Sequence, residues 1–212
     1  MSNFAAALLF YALQFTLYAF KVTATSHQLV ALVSALLCLT LWPVAVGPWL
    51  GILAVVAVMI GALTPDLDQP TANIWRRVLG GNVVGNVFQA FSGGHRHLTH
   101  SLIGIFGVGW LIHKGITAGL QPAVVPAALV VWRAFMIGYI SHPIADTITD
   151  RGVPWLWPLP WSLRVPPGPE EVRVTTDSVV ERFLVRGGLL LVGGLLLYTH
   201  WPIVTAFFHV LG

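Results

Sequence analysis

The chain has 212 residues, of which 56% are hydrophobic and 9% charged, with 11 Lys and Arg against 8 Asp and Glu. That balance and a mean hydropathy of +0.79 exclude a soluble domain and indicate an integral membrane protein. Basic residues scattered through connecting stretches are better explained by orientation in a bilayer than by nucleic acid, and a single Cys38 excludes an intramolecular disulfide.

In chain order, residues 4–20 form a first apolar segment of marginal spanning length, interrupted by Gln14. A short polar connection follows, in which Thr25 or Ser26 is placed to cap the next helix with His27 in its first turn. Residues 28–46 are a second span. Pro43, Gly47 and Pro48 then mark a tight turn into a third, over 49–64, which stops at Pro65 before Asp66, Leu67 and Asp68.

Residues 69–94 hold Arg76 and Arg77, and their apolar residues fall roughly on one helical face, so this stretch predicts an amphipathic element lying in the membrane interface. A fourth span covers 102–120 and a fifth runs from Pro122 to Asp146, with Arg133 expected as a buried structural partner. Residues 151–177 are a proline- and tryptophan-rich interfacial loop. Ser178 to Glu181 reads as a capping box opening the last span, over 182–211. The expected architecture is all-α: one polytopic membrane helix bundle over 1–212 with about six transmembrane helices.

With six spans, Lys21, Arg76, Arg77, Arg96, Arg151, Arg164, Arg173, Arg182 and Arg186 all lie on one face and Lys114 on the other. That bias places the first face in the cytoplasm and both termini outside. His27, Asp66, Asp68, His95, His97, His100, His142 and Asp146 map to the cytoplasmic helix ends, whereas His113, His200 and His209 fall toward the opposite side as interfacial residues.

Imidazole is the commonest metal ligand, and three histidines within the run GGHRHLTHS from Gly93 to Ser101 concentrate it where an apolar segment begins. His142 and Asp146 are four residues apart, so on a helix they share one face one turn apart, which suits coordination of a common ion. That pair could equally be a carboxylate orienting a histidine. Asp66 and Asp68 are two close carboxylates that repel unless a cation neutralises them, or else they cap the next segment.

The order of His27, LTPDLD at Leu63 to Asp68, HRHLTHS at His95 to Ser101 and GYISHPIAD at Gly138 to Asp146 resembles the YdjM family. That family is described as inner-membrane metal-dependent hydrolases, and the resemblance extends over most of the chain. His97 departs from the family's usual HRG, and is expected as an outlier. A more distant similarity is to zinc-dependent phospholipases C. The third-metal ligands of those enzymes have no counterpart here, which implies one or two ions.

The seven residues expected as metal ligands are His27, Asp66, Asp68, His95, His100, His142 and Asp146. Mixed imidazole and carboxylate donors fit zinc best, with manganese or iron as alternatives to it. A metal-bound water lowered to a pKa of about 7 serves as nucleophile. Asp66 or Asp68 bridges ions or acts as general base, and Arg96 neutralises a phosphate oxygen. The expected substrate is a phosphoester of a lipid or other amphiphile, and membrane lipids are the expected partners. Trp155, Trp157 and Trp161 form either a lip over the site or an aromatic belt. Rival classes are a membrane di-iron oxygenase, which needs more histidines, an integral lipid phosphatase of the phosphatidic acid type, whose KxxxxxxRP and PSGH motifs are not found here, and a non-enzymatic metal-binding protein or transporter, whose ligands belong near the membrane midplane.

Overall fold

A computed structural model describes residues 22–71, 75, 81–94, 96–169, 174–175, 178–179 and 181–209. The expected span over 4–20, together with Lys21, Arg76, Arg77, His95 and Arg173, lies outside the described residues. Within them the regular elements are helices: α1 (Val22–Leu41), α2 (Pro48–Leu63), α3 (Gly81–Phe91), α4 (Leu102–Gly119), α5 (Val125–Thr147), α6 (Arg186–Thr199) and α7 (Trp201–Phe207). Two 3-10 turns, Pro65–Asp68 and Leu98–His100, extend the ends that carry the site.

The centre of the bundle is the crossing of α2 with α5, the most extensive helix contact among the described residues. The buried residues of α2 are Gly51, Ala54, Ala57, Val58, Gly61 and Ala62, a stripe of small side chains at helical spacing. Opposite them lie Ala134 and Gly138, with Ala31 of α1 completing the core. A Cβ built on Gly61 would fall 2.1 Å from the Phe135 carbonyl oxygen, and one on Gly138 would fall 1.9 Å from that of Val58. Here backbone meets backbone, the packing by which helices associate when lipid outside is as apolar as the core.

The burial pattern runs opposite to that of a soluble protein. Among the described residues the large, fully buried side chains include Tyr139, His100, His142, Asp68 and Asp146, while Trp42, Phe106, Trp110, Leu191 and Tyr198 are exposed. Such a surface belongs against hydrocarbon, and the polar interior is the form that ionisable groups take inside membrane bundles. Among the described residues three helices are long and apolar enough to cross a membrane, Pro48–Asp68, Leu102–Gly119 and Val125–Thr147, and the bent pair Phe183–Thr199 and Trp201–Phe207 makes a fourth if it is one span. The chain is therefore a membrane helix bundle.

Several elements depart from the sequence reading. Helix α1 begins by Val22, so Ser26 does not cap it; its hydroxyl is buried and donates to Glu181 Oε1. The same helix ends at Leu41, and residues 42–47 return as an extended turn whose Val46 and Gly47 amides donate to the Phe207 carbonyl at 3.0 and 3.2 Å. The last expected span is not continuous: Phe183–Thr199 and Trp201–Phe207 meet at a bend of 82°. Pro202 lies in the first turn of α7, where a missing amide hydrogen is tolerated, and cannot continue the ladder of α6. Arg133 is exposed rather than buried, because α5 turns that face away from α2.

Beyond α5, residues 148–165 fold back over the helix ends. Val153 and Leu163 exchange backbone hydrogen bonds at 3.0 and 2.8 Å, and the Val165 amide donates to the Thr147 carbonyl at 2.8 Å. Trp155 fastens the flap twice: its indole donates to Thr147 Oγ1 at 2.9 Å and its carbonyl accepts from the Leu102 amide at 2.9 Å. On the other flank α3 leaves Val83, Val84, Val87, Phe88 and Phe91 exposed, an apolar face of the kind expected from residues 69–94.

Candidate metal centre

Helix α5 supplies two of the donors. Its last two turns present His142 and Asp146 on one face, with His142 Nε2 3.6 Å from Asp146 Oδ2. The close crossing at Gly138 brings the end of α2 alongside, so that the Ala62 carbonyl lies 2.6 Å from His142 Nδ1. A carbonyl only accepts, so Nδ1 carries the hydrogen and the Nε2 lone pair is directed into the cluster.

The Pro65–Asp68 turn that ends α2 contributes two carboxylates with different surroundings. Asp66 Oδ1 lies 3.5 Å from His142 Nε2, and its side chain is 32% exposed, which leaves one open side to the cluster. Asp68 is fully buried behind His100, accepting from Thr99 Oγ1 at 2.5 Å and from the Arg96 amide at 2.9 Å. Because the Thr99 hydroxyl gives its hydrogen to Asp68, its oxygen accepts from His100 Nδ1 at 3.0 Å. That relay fixes the other tautomer-determining nitrogen, and His100 Nε2 then faces Asp146 Oδ2 at 3.5 Å. Tyr139 holds the same turn from α5 by donating to the Thr99 carbonyl at 2.9 Å.

His27 enters from α1. Its ring stacks on His142 with centroids 3.8 Å apart and planes 12° from parallel, and its Nε2 lies 3.4 Å from Asp146 Oδ1. Behind it, Ser26 accepts from Arg186 Nε at 2.8 Å while donating to Glu181, so the turn preceding α6 braces the helix that carries His27. Glu181 also keeps half of the expected capping box, its amide donating to Ser178 Oγ at 3.1 Å.

Arg96 ties the loops to the cluster. Its φ of 62° puts it in the left-handed region that side chains seldom adopt. In that conformation its amide reaches Asp68 while its guanidinium donates to Asp146 Oδ1 at 3.0 Å, to Thr149 Oγ1 at 3.1 Å and to the Gly152 carbonyl at 3.4 Å. One residue thus spans two of the buried carboxylates.

Of the seven residues expected as ligands, the structure brings six together, and His95 lies outside the described residues. Five of them form two overlapping triads, His27 with His142 and Asp146, and Asp66 with His100 and His142, in each of which the donor atoms lie within 4.8 Å of one another. Asp68 belongs to neither triad and meets His100, Thr99 and the Arg96 amide. His97 belongs to neither triad and lines an adjoining cavity. Neither His113, which packs edge-on against Trp132 at 5.1 Å, nor His200 nor His209 takes part. Sequence reasoning missed Thr99, Tyr139, Thr149 and the Ala62 carbonyl. A backbone carbonyl has no signal in a sequence.

The donor set fits a metal ion. His142 Nε2 and Asp146 Oδ2 are buried with no hydrogen-bond partner, an arrangement that is costly for polar atoms unless something else occupies the space between them. Among the five residues of the two triads, four histidine-to-carboxylate separations of 3.4 to 3.6 Å exceed the usual hydrogen-bond range of about 2.7–3.2 Å. They match the edges of a tetrahedron with arms of about 2.0–2.2 Å, which are roughly 3.3–3.6 Å long.

Fold and site together define a membrane helix bundle whose polar interior gathers histidines and aspartates at one end. The chain belongs to the family of the YdjM inner membrane protein, whose family model matches residues 22–210. It is 33% identical over 147 residues to the inner membrane protein YdjM of Escherichia coli (strain K12), covering 68% of this chain and 69% of that one, and is equally similar to YdjM of Shigella flexneri. Like them it is an inner membrane protein. No solved structure matches the chain.

Proposed function

We propose that the chain is a multi-pass, membrane-bound, metal-dependent hydrolase that cleaves a phosphoester of a lipid or other amphiphilic substrate. The observation that carries this reading is the convergence of buried, unpartnered donor atoms at tetrahedral-edge spacing around His142 and Asp146. His27, Asp66, His100, His142 and Asp146 hold one or two divalent ions, zinc before manganese or iron given the donors. Asp68 acts as a positioning residue rather than a ligand, since it orients His100 through Thr99. A divalent ion in such a setting lowers the pKa of water and polarises a phosphoryl oxygen.

The chain's own residues supply the rest. Asp66, the solvent-accessible carboxylate of the cluster, takes the proton of the attacking water as its oxygen bonds to phosphorus, and returns it to the leaving alkoxide as the ester P–O bond breaks. Arg96 and Asp146 hold each other, which fixes the carboxylate and presents a guanidinium edge to the substrate. Arg96 and Arg151 line one cavity and Arg164 bonds to Arg151 at this end of the bundle, and that positive bias supports a site facing the cytoplasm.

The test is hydrolysis of dihexanoyl phosphatidic acid and of bis(p-nitrophenyl) phosphate by purified, zinc-loaded protein. Chelation, Asp66→Asn and His142→Ala each abolish turnover, while His200→Ala retains it. Turnover that survives chelation and both ligand-set substitutions would refute the proposal.

A further inference from the structure

Beside the cluster lies a cavity of about 520 Å³ between the loop at Arg96 and the flap at 151–162. Its size is that of a small-molecule site, and its lining is divided by chemistry. One part is cationic and polar, with Arg96, His97, Arg151 and Ser162. The other is apolar, with Trp157, Leu159 and three prolines. No carboxylate is among the described residues that line it. Arg96 is shared with the cluster: two of its guanidinium nitrogens are engaged by Asp146 and Thr149, while Nε is buried with no hydrogen-bond partner. A guanidinium so held is already oriented, so little side-chain entropy remains to be lost when an anion meets the Nη2 hydrogen that Asp146 does not take. Arg151, exposed and anchored through its carbonyl by Arg164 Nε at 3.2 Å, supplies a second positive charge.

The apolar half has a backbone reason. Gly93 and Gly94 adopt φ of 79° and 113°, and a Cβ on Gly93 would come within 3.4 Å of the Trp157 ring. The glycine pair lets the loop pass under the indole and leaves the cavity open beside it. A cationic end beside a tryptophan and a leucine selects a ligand with an anionic oxygen-rich head and an apolar body.

We infer that this cavity is the subsite for the phosphate head of an anionic amphiphile, gripped by Arg96 and Arg151, with its apolar part against Trp157 and Leu159. This gives the substrate of the metal centre its binding site and an anionic head, and rests on that reading for its chemistry, although the binding itself requires no ion. The same phosphate chemistry is offered by a phospholipid or by a free phosphate, and Trp157 separates the two.

Isothermal titration of the protein in neutral maltoside detergent tests this, with chelated and zinc-loaded samples titrated with dihexanoyl phosphatidic acid, dihexanoyl phosphatidylcholine and inorganic phosphate. Phosphatidic acid is expected to bind the chelated protein, and more tightly than phosphatidylcholine. Arg151→Gln weakens that binding by about tenfold or more, the loss expected for a charge-assisted hydrogen bond. Trp157→Ala weakens phosphatidic acid but leaves inorganic phosphate unchanged. Equal binding of phosphate and phosphatidic acid, with Trp157→Ala silent for both, would overturn the amphiphile assignment. Binding unaffected by Arg151→Gln, or seen only with zinc present, would overturn the cavity as the site while leaving the metal centre standing. Failure of zinc to bind, with Arg151-dependent binding intact, would remove the metal reading and leave the cavity.

Discussion

At the scale of single residues, the account turns on how each imidazole is oriented. His142 is set by a backbone carbonyl, but His100 depends on a side-chain relay, since Thr99 gives its hydrogen to Asp68 and accepts from the ring. Removing that hydroxyl in Thr99→Val leaves the volume nearly unchanged and frees the ring to rotate or change tautomer. Zinc affinity, measured by competition with a chromophoric chelator, is expected to fall about 10- to 100-fold, as for other groups that orient metal-bound histidines. Unchanged affinity would show that His100 is held by other means. The pairing of His142 with Asp146 is legible in the sequence, because four residues on a helix dictate one face. The difference between Asp66 and Asp68 is not. Two carboxylates one residue apart look alike until the 3-10 turn sends one to the open side and buries the other under Thr99 and Arg96. The left-handed conformation of Arg96 is equally silent in a sequence, where an arginine inside a histidine cluster reads as a free cation.

At the scale of elements, the site depends on a crossing made by two glycines. Gly61→Val or Gly138→Val forces side-chain atoms against a carbonyl that belongs to the partner helix, and neither backbone can yield without displacing the other. Each is expected to cost about 1–3 kcal/mol or more, read as a lowered unfolding temperature in detergent. Gly107→Val on α4, where a Cβ meets nothing within 4 Å, is the control and leaves that temperature nearly unchanged. Equal effects at Gly107 and Gly138 would mean that the crossing does not hold the bundle. Helix positions along α2, α4 and α5 follow from apolar runs bounded by Pro48, Ser101 and Thr147, and are legible to within a few residues. The break between α6 and α7 is less so, since Pro202 lies within a run of apolar residues long enough to span and only the bend of 82° separates the two pieces.

At the scale of the whole molecule, the proposed orientation has a consequence for labelling. With the cluster and the flap in the cytoplasm, Val165→Cys in a Cys38→Ser background is expected to resist a membrane-impermeant maleimide applied to intact cells and to react once the inner membrane is opened. Reaction in intact cells would invert the topology. The convergence of donors from α1, the end of α2, the Leu98–His100 turn and α5 is legible only in outline. Their placement at one end of the bundle follows from counting apolar segments, whereas their approach to 3.4–3.6 Å depends on small residues at the α2–α5 crossing that carry no chemistry of their own. The central claim is that this end of the bundle is a metal centre. Elemental analysis by inductively coupled plasma mass spectrometry of purified wild type, Asp146→Asn and His200→Ala tests it most directly. The expected result is one or two transition-metal ions per chain in wild type and His200→Ala, with most of that content lost in Asp146→Asn. Metal content near zero in wild type after growth and purification with zinc, or equal content in all three proteins, would contradict it.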